Sequence, residues 1–134
     1  EVVETGIEEG YPDARRIEHC VDDETFTVQS VDEAGVFQRL CRNPKLINAD
    51  CAVLACAFEH DGIAVMDETY GRDVAATEGV TTRGTAYLVL HLADQQVLSV
   101  ETARTVIDEM IEAGGYCSPS MYAKLVQKLD SIDG

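Results

Sequence analysis

The run Asp50-Cys-Ala-Val-Leu-Ala-Cys-Ala-Phe58, then Gly62, then Ile63-Ala-Val-Met-Asp-Glu68, decides the fold. Its first part is apolar on every side, as in a helix buried at the centre of a domain. Gly62 stops that helix. Ile63–Met66 follows as a short, fully apolar strand, the kind that parallel sheets cover on both faces. Thr69–Glu78 then reads as a helix closed by Gly79, and Val80–Thr82 as another short strand. This is an α/β alternation.

Towards the C-terminus the pattern is helical. Tyr87–Asp94 forms a helix after Gly84-Thr85. Ser99 caps the next, whose Ala103, Val106, Ile107, Met110 and Ile111 recur at helical spacing. Gly114-Gly115 ends it, and Ser118-Pro119 opens a final helix striped by Tyr122, Leu125, Val126 and Leu129. Tyr87, Tyr116 and Tyr122 fall on packing faces. Towards the N-terminus, Glu1–Glu9 reads as the tail of a helix closed by Gly10, and Pro12-Asp13 opens a second one through Cys20. Thr25–Gln29 alternates β-branched and aromatic residues, as strands do. Between Val31 and Leu46 the pattern is ambiguous, with a short helix around Gly35–Cys41 before Asn43-Pro44. The expected object is one α/β domain over residues 1–134, with a small, largely parallel sheet flanked by helices.

The chain has 134 residues, enough for one domain with a real core, and 46% of them are apolar, which excludes a disordered or fibrous chain. Against 25 acidic residues stand 10 basic ones, a net charge of -15. That balance excludes a basic groove holding nucleic acid by phosphate neutralisation, and argues against an anionic membrane surface. The acids recur through the whole chain instead of forming a tail, and only Lys45, Lys124 and Lys128 are lysines. Such a composition suits a high-salt cytoplasm, where charge keeps a protein soluble. No stretch approaches the apolar length of a membrane span, and none resembles a signal peptide. Five cysteines (Cys20, Cys41, Cys51, Cys56, Cys117) without C-x-x-C spacing read as small buried thiols of a reducing cytoplasm.

Two acidic positions stand apart from this background. Asp50 heads the apolar helix, and Asp67-Glu68 follows directly on the strand Ile63–Met66. In open parallel sheets the ligand site lies beyond the carboxyl ends of the strands. Carboxylates converging there without His or Cys suit a hard cation, Mg²⁺ or Mn²⁺. The commonest use of such a cluster is phosphodiester hydrolysis. The plainer alternative is that Asp50 caps its own helix and Asp67 caps the helix starting near Thr69. Spacing alone does not decide between them. Arg72 and Arg83, near the strand ends, suit either a phosphate or a surface ion pair. His19, His60 and His91 lack metal-ligand spacing, and the chain shows neither a nucleophile elbow nor a Gly-rich phosphate loop.

Asn48-Ala-Asp-Cys-Ala-Val-Leu-Ala-Cys-Ala57, Ala64-Val-Met-Asp-Glu68 and Gly71-Arg-Asp-Val-Ala75 together resemble the second half of a PIN domain, the three-layer α/β fold of VapC-type toxins and several RNA-processing endonucleases. Gly79-Val-Thr-Thr-Arg-Gly-Thr85, Glu112-Ala-Gly114, Ser118-Pro-Ser-Met-Tyr122 and the opening Glu1-Val-Val-Glu-Thr-Gly6 with Gly10-Tyr-Pro-Asp-Ala-Arg15 are similar to a prokaryotic VapC-like subgroup. The resemblance implies a Mg²⁺- or Mn²⁺-dependent endoribonuclease in the cytoplasm of a halophilic archaeon. It implies Asp50 and Asp67 as catalytic metal ligands, joined by Glu1 and by Glu68, which stands where relatives often carry a second Asp. Met66 stands where many relatives have Thr or Ser. No residue matches the family's first acid, and the resemblance puts the first strand and helix upstream of Glu1. Its implied partners are RNA, met by Arg72 and Arg83, an antitoxin protein, and a second copy in a homodimer, with no membrane. The competing expectation is a non-catalytic PIN-like module that binds a protein.

Overall fold

A computed structural model describes residues 2–115 and 117–133. Its elements are α1 (Val2–Glu8), α2 (Pro12–Asp22), α3 (Gly35–Cys41), α4 (Asn48–Glu59), β1 (Ile63–Val65), α5 (Thr69–Thr77), β2 (Thr81–Arg83), α6 (Thr85–Asp94), α7 (Val100–Glu112) and α8 (Pro119–Asp133). The protein is a mixed α/β fold with a small parallel sheet among helices, as its sequence predicts.

The sheet pairs β1 with β2 in parallel, Ile63 opposite Thr81 and Val65 opposite Arg83, with α5 as the crossover between them. Helix α4 packs on β1 and α5 on β2. The covered face of β1 holds Ala64, and Met66 just beyond it is buried on the same side. The sequence predicts a strand buried on both faces, but Ile63 and Val65 are 58% and 42% exposed. Backbone pairing points the same way. The Met66 amide donates to the Arg83 carbonyl at 3.0 Å. Alternate residues of a parallel strand face one neighbour, so Ala64 and Met66 turn towards β2. Ile63 and Val65 therefore turn their backbone groups to an edge with no strand partner among the described residues.

Two separate apolar clusters fill the interior. One runs from Val31 to Val80 around Leu54 and Cys51, beneath the sheet. The other joins α6, α7 and α8 through Val89, Ala93, Ala103, Ile107, Leu125 and Leu129. Helix α4 buries Cys51, Leu54, Ala55 and Ala57, but Val53 and Phe58 on its other side are exposed, so the helix is not enclosed on every side as its apolar sequence predicts. Among the described residues no charged or polar side chain is buried, so the acid excess lies at the surface. At the N-terminus α1 and α2 form a hairpin that packs chiefly on itself. Its crossing point needs Gly6, where a Cβ would come within 2.6 Å of the Ala14 Cβ.

Three local expectations need correction. Thr25–Gln29 forms no strand. Its start is captured by a turn: the Thr25 hydroxyl and amide donate to the Asp23 carboxylate at 2.7 and 3.0 Å and hold that carboxyl below its ordinary range. Phe26 and Val28 are exposed, so the alternating pattern has no core to face. Tyr87 is not a packing residue. It points outward, stacked on His91 at 6.0 Å, whereas Tyr122 packs into the second cluster and Tyr116 lies outside the described residues.

The cysteines are not uniformly buried either. Cys51 is buried, Cys41 exposed, and Cys20, Cys56 and Cys117 lie between. Burial, then the neighbouring Cys41 and the charge of Asp50, push the Cys51 thiol up from 9.0 to about 11. A thiol raised on folding stabilises the native state while protonated. That contribution is complete below pH 9 and is lost as pH climbs towards about 11. Cys41 is therefore expected to react with iodoacetamide at pH 8 while Cys51 stays unmodified, as peptide mapping would show. The alkaline loss of stability between pH 9 and about 11 should fade in Cys51→Ala, read by thermal melts.

Candidate functional site

Asp67 emerges at the carboxyl end of β1, next to the point where β2 ends and α6 begins. Its Oδ1 accepts from the Thr85 amide at 2.8 Å and its Oδ2 from the Thr85 hydroxyl at 2.6 Å. The carboxylate thus caps α6 from the neighbouring strand, at the positive end of that helix. Gly84 makes room for it, since a Cβ there would stand 3.0 Å from Oδ1.

Glu68 is the N-cap of α5. Its Oε1 accepts from the Tyr70 amide at 3.0 Å and its Oε2 from the Gly71 amide at 2.6 Å. The sequence alternative gave the α5 cap to Asp67. The structure gives it to Glu68 and sends Asp67 across to α6. Met66 is buried, with its sulfur and methyl against Gly71.

Asp50 sits half-buried in the first turn of α4. The short turn after Glu59 sends β1 back along the helix. Asp50 lies about 14 Å along the axis from Glu59, and Asp67 about 13 Å along the strand from Ile63. The two acids therefore lie at one end of the α4–β1 unit. No hydrogen bond joins them, and among the described residues no three His, Cys, Asp or Glu side chains form a metal-sized group. Glu1 lies outside the described residues.

Arg72 projects from α5 towards the same place, its Nη1 being 3.8 Å from the position a Gly84 Cβ would take. The Arg83 guanidinium lies over the Tyr87 ring, 5.2 Å from its centroid, and donates to the Thr82 carbonyl at 2.8 Å. Among the described residues neither arginine is in an ion pair.

The donors at this rim are all carboxylate oxygens, which suits a small hard cation. An ionised carboxylate has about four acceptor positions. Thr85 uses one on each Asp67 oxygen, and the α5 amides one on each Glu68 oxygen, leaving the others available. Mg²⁺ is commonly held by only one or two carboxylates, with water completing its shell. These residues fit such an ion in kind, and two adjacent acids meet its minimum. Sequence reasoning missed Thr85 and Gly84. The signal available was a Gly-Thr pair directly after the second parallel strand, level with the residues following the first.

An open groove of about 400 Å³ lined by Gln29, Val53, Cys56, Ala57, His60, Gly62 and Ile63 lies at the other end of β1, away from the carboxylates. Its lining is mainly apolar and offers no acid. The described helices include none long and apolar enough to cross a membrane. Comparison with curated proteins and with solved structures gives no match. A family model described as a PIN domain matches residues 1–131, covering the paired strands, the acids at their ends and the three helices that follow; the chain belongs to the PIN-domain family.

Proposed function

We propose that this PIN-domain protein is a metal-dependent endoribonuclease that hydrolyses RNA phosphodiester bonds with Mg²⁺ or Mn²⁺. The observation that carries this reading is the Asp67 carboxylate, clamped by Thr85 at the carboxyl end of a parallel strand pair. Asp67 and Glu68, with Asp50 and Glu1, are the proposed cation ligands. A bound cation supplies a Lewis acid for the phosphate and acidifies a water. Arg72, free of ion pairs among the described residues, is aimed at the RNA backbone, and Arg83 lies at the next strand end. With a net charge of -15, affinity comes from these few contacts and not from a basic surface.

The edge of β1 away from β2 has no strand partner among the described residues, and a further parallel strand would fit there. In the VapC-like version of this reading an antitoxin holds the protein in check, and two copies pair through the helical face of α6–α8. Its surface acids then belong to a halophile's cytoplasm. Urea melts repeated in molar KCl test that last point, and an unchanged midpoint would refute it.

Asp67→Asn and Asp50→Asn should each abolish Mn²⁺-dependent cleavage of RNA by the full protein. Cleavage surviving both substitutions would overturn the assignment. The second reading, a non-catalytic PIN-like module binding a protein, is favoured by one observation. Asp67 and Glu68 both already serve as helix caps, and no third ligand joins them among the described residues. A folded full protein without Mn²⁺-dependent cleavage would decide for it.

A further inference from the structure

We propose that Thr85 is a positioning residue that fixes the Asp67 carboxylate for its ligand. This inference rests on Asp67 being a cation ligand. Thr25 puts both its donors on one oxygen of Asp23, whereas Thr85 divides its two donors between the two oxygens of Asp67. The Thr85 amide takes Oδ1 at 2.8 Å and the hydroxyl takes Oδ2 at 2.6 Å. Two bonds to different oxygens fix both the position of the group and the rotation of its plane, which a single bond leaves free. Gly84 completes the seat, because the space beside Oδ1 would be narrowed to 3.0 Å by any Cβ. The backbone at Gly84 is ordinary extended chain, at φ -81 and ψ 168, so its lack of a side chain serves the carboxylate and not the turn. A ligand oriented in this way binds its cation more tightly, and loss of such an orienting partner typically weakens metal binding by about 10–100-fold.

The orienting bond that can be removed without touching the backbone is the hydroxyl. Thr85→Val preserves shape and the amide donor but frees Oδ2. Thr85→Ser restores the donor. Gly84→Ala keeps both donors and displaces the carboxylate instead. Mn²⁺ affinity, followed by the loss of the free-ion electron paramagnetic resonance signal, is expected to fall about 10–100-fold in Thr85→Val. It should return in Thr85→Ser and be weakened in Gly84→Ala, with all three proteins folded by circular dichroism. A Thr85→Val protein that binds Mn²⁺ like the unsubstituted chain overturns the positioning role.

A second measurement needs no metal. A double-mutant cycle of Asp67→Ala and Thr85→Val, read by urea unfolding, is expected to show about tenfold coupling in the unfolding constant. Additive effects overturn the contact itself. Failure of the unsubstituted chain to bind Mn²⁺ would overturn the cation reading of Asp67, and the positioning role with it. The cycle would still report whether Thr85 fixes the carboxylate, so the two failures are distinguishable.

Discussion

Asp67→Asn is expected to cut Mn²⁺-dependent RNA cleavage by at least about 100-fold, since loss of a partner that merely orients a ligand already costs 10–100-fold. The folded state should remain nearly as stable as before. Asparagine keeps one oxygen for the Thr85 amide, and its NH₂ can donate to the Thr85 hydroxyl, which reverses one bond of the pair without losing it. What disappears is the charge. Its attraction to the N-terminal end of α6 accounts for roughly 0.3–1 kcal/mol. Asp67→Ala removes the cap as well, at about 0.5–2 kcal/mol, and so separates the structural role from the chemical one. Comparing kcat/KM and Tm across the two variants checks this. Full activity in a destabilised Asp67→Asn protein would show that the acid is only a cap.

Leu54→Ala is expected to cost about 2–5 kcal/mol, a large share of the roughly 5–15 kcal/mol that holds a domain together. Leu54 is 0% exposed at the centre of the cluster beneath the sheet. It sits on α4, between the half-buried Asp50 turn and the start of β1, so a cavity there loosens the base of the strand that carries Asp67. Leu129→Ala in the other cluster should cost a similar amount. The two clusters share no buried residue, and the two effects should therefore add. The chain has no tryptophan, so urea unfolding followed by far-ultraviolet circular dichroism is the suitable measurement. A cost below about 1 kcal/mol for Leu54→Ala would mean that the cluster collapses around the loss.

The helices were legible wherever one face had to be apolar or a cap residue announced the start. Ser99 donates nothing to the core, yet it marks α7 because its hydroxyl accepts from the Thr102 amide at 3.0 Å. The two strands were legible from short apolar or β-branched runs between Gly-terminated helices. Thr25–Gln29 carried a similar local pattern and failed, because a strand is made by its neighbour and none is available there. At the site, proximity to a strand end singled out Asp67 and Glu68. Which helix each acid caps was not readable, since a cap reaching from β1 to α6 depends on the pairing register of two strands. The same limit applied to Thr85, whose importance comes from a residue 18 positions away.

The two apolar clusters meet at the candidate site. The described chain passes from one to the other only once, between Val80 and Val89, and no helix of the second packs extensively on the elements of the first. The Asp67–Thr85 bonds span that passage from one side to the other. They tie the first turn of α6 to the end of β1, so the seat of the carboxylate is built from both sides of that passage.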